Sequence, residues 1–204
     1  MAIKTRRDFS NYQKQMILDN ARALFEETGY DKTNIKSIAK ACSFGPANLY
    51  NYFSSKEEIL FEILKQEAEH LVKSLDEVEN SNELNAEQKL RAIIKGVADF
   101  SIGRKRRTRL LYIKYTVDLT PEHRKYINKI RDAQDECIRG IIRKGMEDGE
   151  FAKVDETFAT YAFYTMMLRT RVWFGVDDKA TQDKYTEFKC DYIMAAMKNY
   201  KTSK

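Results

Sequence analysis

Residues 33–56 read TNIKSIAKACSFGPANLYNYFSSK. Ile35, Ile38, Ala39 and Cys42 recur at i, i+3, i+4 and i+7, which is one face of a short helix. Thr33, just ahead of them, is a candidate N-cap, and Lys36 and Lys40 fall off the apolar face. The pattern breaks at Ser43-Phe44-Gly45. Pro46 opens a second short helix, because a missing N–H costs nothing in a first turn. Leu49 and Phe53, four apart, turn inward together and leave Ala47, Asn48, Asn51 and Tyr52 outside. This order is a helix-turn-helix whose second helix is built for a DNA major groove.

The outward residues carry matching chemistry. An asparagine amide can bond the adenine edge twice, so Asn48 and Asn51, with Lys36 from the preceding helix, are candidates for base contact. Ala47 can touch a thymine methyl, and Pro46 sets the start of the reading helix. Thr33, Tyr50, Tyr52 and Lys56 are candidates for phosphate contact, which positions a protein without reading sequence.

Several pieces in register carry a family resemblance. They are Phe25-Glu26-Glu27-Thr28-Gly29-Tyr30, Thr33, Ile38-Ala39-Lys40-Ala41, Leu49-Tyr50-Asn51-Tyr52-Phe53 and Lys56-Glu57-Glu58-Ile59-Leu60. Over roughly residues 10–62 the chain resembles the TetR family of transcriptional repressors. The resemblance implies an all-α fold with a DNA-binding domain at 1–55 and a ligand-binding and dimerisation domain at 56–204. It also implies a homodimer on a palindromic operator in double-stranded DNA, released by a small-molecule effector held in the body. Ile141-Ile142-Arg143-Lys144-Gly145-Met146-Glu147-Asp148-Gly149-Glu150-Phe151 is similar to a segment that ends a long helix in such bodies.

The composition fits this reading. Of 204 residues, 33% are charged and 43% hydrophobic, with two prolines and eight glycines, as in an ordinary helical protein. The net charge of +5 is compatible with nucleic acid. Residues 1–55 hold eight Lys/Arg against five Asp/Glu, and Lys4, Arg6 and Arg7 read either as a basic arm or as a solvated tail. No apolar run approaches the ~18–20 residues of a membrane span, and the N-terminus lacks the apolar core of a secretory signal. The expected location is the cytoplasm.

Helical periodicity continues along the chain. Helices are expected at about Ser10–Thr28, at Ser55–Glu79 after a capping-box-like start, from Ala86, and from Arg104 to Asp118. Others are expected from Thr120-Pro121-Glu122 to Glu147, at Asp155–Phe174 and at Thr181–Tyr200. Asn80–Asn85 reads as a loop.

Catalysis is not expected. His70 and His123 are isolated, and no phosphate loop, metal-ligand cluster or nucleophile elbow occurs. No cofactor and no metal are implied. Cys42, Cys137 and Cys190 read as small buried thiols, with redox sensing as the other reading. The run Arg104–Arg109 is a solvated helix start, a second phosphate patch or an anchor for an anion.

In the body, Tyr112, Tyr115, Phe163, Met166, Met167, Arg169 and Trp173 are either core or the wall of an effector pocket. Apolar walls with arginine suggest an amphipathic effector with an anionic end. Tyr185, Phe188, Tyr192, Ile193 and Met197 lie on the apolar side of the last helix and are either internal packing or a two-fold interface. Two alternatives stand beside the repressor: a helical sensor or adaptor without specific DNA binding, and a helical enzyme using the body's pocket.

Overall fold

A computed structural model describes residues 5–100, 118–168 and 179–200. Among these residues the chain is helical, with no strand. Eight helices follow in order: α1 Arg6–Glu27, α2 Ile35–Ala41, α3 Pro46–Tyr50, α4 Lys56–Glu79, α5 Ala86–Phe100, α6 Pro121–Glu147, α7 Glu156–Leu168 and α8 Lys179–Asn199. The expected helix at 104–118 lies outside the described residues, except for its last residue. The described residues fall into two compact units. The head unit is 5–69 with 118–129, and the body unit is 70–100 with 130–168 and 179–200.

The head unit closes around the inner faces of α1 to α4. Ile17, Ala21, Ile38, Leu49, Ile59 and Ile63 are fully buried there. Leu119 and Ile127, from the segment that opens α6, join the same core. Three expectations about helix starts are corrected. Helix α1 begins at Arg6 rather than near Ser10, because Thr5 and Asp8 form a capping box (Thr5 Oγ1 accepts the Asp8 N–H at 3.1 Å). Arg6 and Arg7 are therefore helical and exposed, not part of an arm. The cap of α2 is Asn34, not Thr33: the Asn34 side chain accepts the Ser37 N–H, and Ser37 returns the bond. Before α4, Ser55 caps as expected, but Glu58 reaches back to the Ser54 N–H and hydroxyl, both at 2.6 Å.

The body unit has its own core, with Leu90, Ile94, Ile138, Ile142, Phe163 and Cys190 inside. The Gly145…Gly149-Glu150-Phe151 pattern has a physical cause here. A Cβ on Gly145 would overlap the Phe151 ring and stand 2.8 Å from Ala86 Cβ. Gly149 turns the chain with φ 77°, which brings Glu150 to the start of α5. There its carboxylate accepts the N–H groups of Ala86 and Glu87, both at 3.1 Å. A carboxylate at a helix N-terminus satisfies orphan donors and suits the helix dipole.

Candidate nucleic-acid interface

Helix α3 is five residues long and cannot hold its shape alone. Leu49 and Phe53, 0% and 4% exposed, fix it from below. Phe44 stacks on Tyr52, with ring centroids 6.4 Å apart. The turn ahead of α3 is also determined: Ser43 has φ 57°, the left-handed region its place in the turn demands. Gly45 is the extended cap, and Pro46 takes the first helical position.

What this scaffold presents outward is Ala47, Asn48, Tyr50 and Asn51, all exposed. The Asn51 Nδ2 donates to Asn48 Oδ1 at 3.4 Å, so the two amides lie side by side. Lys36, in the first turn of α2, is exposed as well. Ala47, Asn48 and Asn51 are thus exposed on α3 and its C-cap together with Tyr50, and Lys36 is exposed on the helix before it.

The remaining residues of the expected set have structural work. Thr33 is 2% exposed, and its hydroxyl donates to the Gly29 carbonyl at 2.8 Å. The Lys56 ammonium donates to the carbonyls of Tyr30 and Thr33 at 2.9 and 3.0 Å and sits 4.1 Å from the Tyr30 ring centroid. Burial, with Asp118 and Glu57 nearby, pushes the Tyr30 phenol up to about 12. Tyr52 was expected outside; it is half-buried, and its hydroxyl bonds Gln13 of α1. Sequence reading missed Gln13, because a polar residue on α1 gives no periodic signal of its own.

His123 is held by partners within the head unit. Its Nδ1 pairs with Glu57 Oε1 at 2.8 Å, and its ring stacks on Phe61 at 3.7 Å. Glu57 also accepts the Thr120 N–H at 3.0 Å, tying the start of α6 to the first turn of α4 within the head unit. The three cysteines are free and buried. Burial pushes all three thiols up, Cys137 to about 12 with Glu79 adding to the shift, which disfavours the reactive thiolate.

Tyr112, Tyr115, Arg169, Trp173 and the 104–109 basic run lie outside the described residues. Phe163 and Met167 are buried in the core. Met166, Phe163, Ile193 and Met197 line one open apolar cavity of about 670 Å³, together with Phe158 and Ala196. Members of the expected pocket set and the expected dimer set thus meet at one place. Tyr185, Phe188 and Tyr192 form a stacked row along α8, with centroids 6.3 and 5.8 Å apart. Phe158, Tyr161, Phe188 and Tyr192 are 54–72% exposed. Ile193, by contrast, is 2% exposed and packs inward. Among the described residues no helix is long and apolar enough to cross a membrane, and no group of His, Cys, Asp or Glu could hold a metal.

Known proteins match this geometry across the chain. The family model described as "Bacterial regulatory proteins, tetR family" matches residues 17–63, and "Tetracyclin repressor-like, C-terminal domain" matches 83–197. The fatty acid metabolism regulator protein of Bacillus subtilis (strain 168) is 25% identical over 162 residues, 71% of this chain and 81% of its own. The TetR family transcriptional regulator PfmR from Thermus thermophilus is similar with a TM-score of 0.80 and 28% identity. That match covers 91% of this chain and 99% of PfmR. AibR, solved with isovaleryl coenzyme A and operator DNA, is similar with a TM-score of 0.78 over 91% of this chain and 97% of its own. At 23% identity it shares the fold.

Proposed function

Because the chain belongs to the TetR family of transcriptional regulators, a non-enzymatic DNA-binding class, we propose that it is a homodimeric repressor that holds a palindromic operator until a small effector releases it. The observation that carries this reading is the outward face of α3. Its neutral, hydrogen-bonding side chains stand on a scaffold that Leu49, Phe53, Phe44 and Tyr52 hold fixed. Asn48, Asn51 and Lys36 read bases, Ala47 meets a thymine methyl, and Tyr50 reaches a phosphate. Thr33, Tyr52 and Lys56 act chiefly by holding the reading helix in place. In this reading residues 1–55 bind DNA, and residues 56–204 sense the effector and dimerise.

Dimerisation is supported by the aromatic row on α8 and the open apolar cavity beside it, since an exposed face of this kind marks an interaction surface. A second copy related by a two-fold axis would cover it and set two copies of α3 one helical turn or more apart. Effector binding in the body would shift the population of head separations away from the half-site spacing, with a coupling of ~1–3 kcal/mol typical of such linkage.

The effector class is an apolar or amphipathic molecule with an anionic end. The fatty acid regulator and the isovaleryl coenzyme A complex among the relatives support this class.

The test is selection from a random duplex pool by the purified protein. An enriched palindrome supports the repressor and supplies the probe for release by fatty acids and acyl-coenzyme A thioesters. No enrichment by a folded dimer contradicts it and favours the sensor or adaptor without specific DNA binding.

A further inference from the structure

We propose that α3 of this chain reads A·T base pairs only, so that each half-site carries an A·T block beneath α3, and that any guanine read in the half-site is read by Lys36. This rests on the DNA-binding reading above and names the base class that it selects.

The donors and acceptors that α3 exposes decide which bases it can match. From Pro46 to Asn51 no side chain is charged. Leu49 is fully buried, so the Pro46 ring, the Ala47 methyl, the Asn48 and Asn51 amides and the Tyr50 phenol are what this stretch exposes. Guanine offers two acceptors in the major groove, O6 and N7, and is matched by two donors on Arg or Lys; cytosine offers a donor that Asp or Glu accepts best. Helix α3 has none of these four residue types. An asparagine amide presents one donor and one acceptor, the complement of adenine N7 and N6–H. Turned to guanine, the same amide makes one bond while its carbonyl faces a second acceptor. The methyl of Ala47 adds a surface suited to the thymine methyl.

Two further observations tighten the inference. The 3.4 Å bond between Asn51 and Asn48 makes the amides a pair rather than two independent readers. The neighbouring short polar side chains are engaged elsewhere. Asn34 and Ser37 cap α2, Ser54 and Ser55 bond Glu58, and Thr33 bonds the Gly29 carbonyl. Of the two exposed lysines of α2, Lys36 in the first turn is the one expected to contact bases, and its ammonium offers the donors that match guanine.

The experiment is the random-duplex selection run in parallel with wild type, N48A/N51A, N51R and K36A, each first shown to melt as wild type does. The positions whose preference changes in N48A/N51A and N51R mark the footprint of α3. The proposal expects A·T at those positions in the wild-type palindrome. It expects a loss of about 5- to 150-fold in affinity for that palindrome in N48A/N51A. In N51R one position per half-site should switch to G·C, and K36A should relax a guanine outside the footprint. Wild-type enrichment of G·C within the footprint overturns the proposal while leaving a specific DNA-binding protein. So does an N51R preference identical to that of wild type. No enriched sequence with folded wild type removes the DNA-binding reading itself.

Discussion

After the recognition helix the aromatic side chains turn inward: Phe53 is buried, and Tyr52 stacks on Phe44 and bonds Gln13. Along α8 of the body unit they turn outward, and Phe188 and Tyr192 are each 59% exposed in a stacked row. The reading helix finishes its packing within one chain and shows water a neutral polar face, which suits a partner met reversibly. The body leaves apolar surface uncovered beside a cavity of about 670 Å³, which suits a permanent partner of the same kind. In the proposed reading, one chain thus carries one surface for exchange and one for assembly.

The most forceful way to break this contrast is to charge the assembly surface. F188E/Y192E should give a folded monomer, because both side chains already face solvent. Operator affinity should fall by about 10²–10⁴-fold, the gain that linking two half-site contacts brings. Sedimentation equilibrium and a binding titration on the selected palindrome check both parts. A dimer that survives would assign the aromatic row to something other than assembly.

A smaller effect separates the two units by stability. Gly145→Ala forces a Cβ against Phe151 and Ala86 and should cost ~1–3 kcal/mol. Hydrogen exchange should register the loss in body amides before head amides. The turn ahead of α3 offers the opposite sign. Ser43→Gly removes the left-handed strain at φ 57° and should stabilise the head by ~0.5–1 kcal/mol, read as a rise in denaturant midpoint.

The smallest effect is electrostatic and depends on pH. The Lys198 ammonium, with Arg91 beside it, holds the Glu87 carboxyl below the usual carboxylate range. The folded chain therefore takes up that proton less readily than the unfolded one. Its contribution is present at neutral pH and is lost as pH falls through the depressed folded value. Glu87→Gln should cost ~0.2–1 kcal/mol at pH 7, as a partly exposed ion pair does. The difference from wild type should close below about pH 4.5, the ordinary value of this group. A gap that persists in acid would point to packing rather than charge.

The head was legible because its short helices follow local rules. Proline at a first turn and apolar spacing at three and four can each be read one residue at a time. What the sequence hid were contacts made at a distance: Gln13 with Tyr52 across 39 residues, Lys56 with the Tyr30 and Thr33 carbonyls, and Glu150 at the start of α5. Asn34 rather than Thr33 caps α2, because the two neighbours are equally good caps and only the fold assigns Thr33 to the Gly29 carbonyl. In the body, Phe163 and Phe188 are alike in sequence terms, both aromatic at helical spacing. One is 1% exposed and the other 59%, and only packing separates core from surface.

The central claim is that two copies read two halves of one site. The direct test is an anisotropy titration of the selected palindrome against the same duplex with one half scrambled. The account predicts two protomers on the palindrome and a loss of about 10²–10⁴-fold on the half-site. Equal affinity for the two duplexes, with one protomer on each, would contradict it.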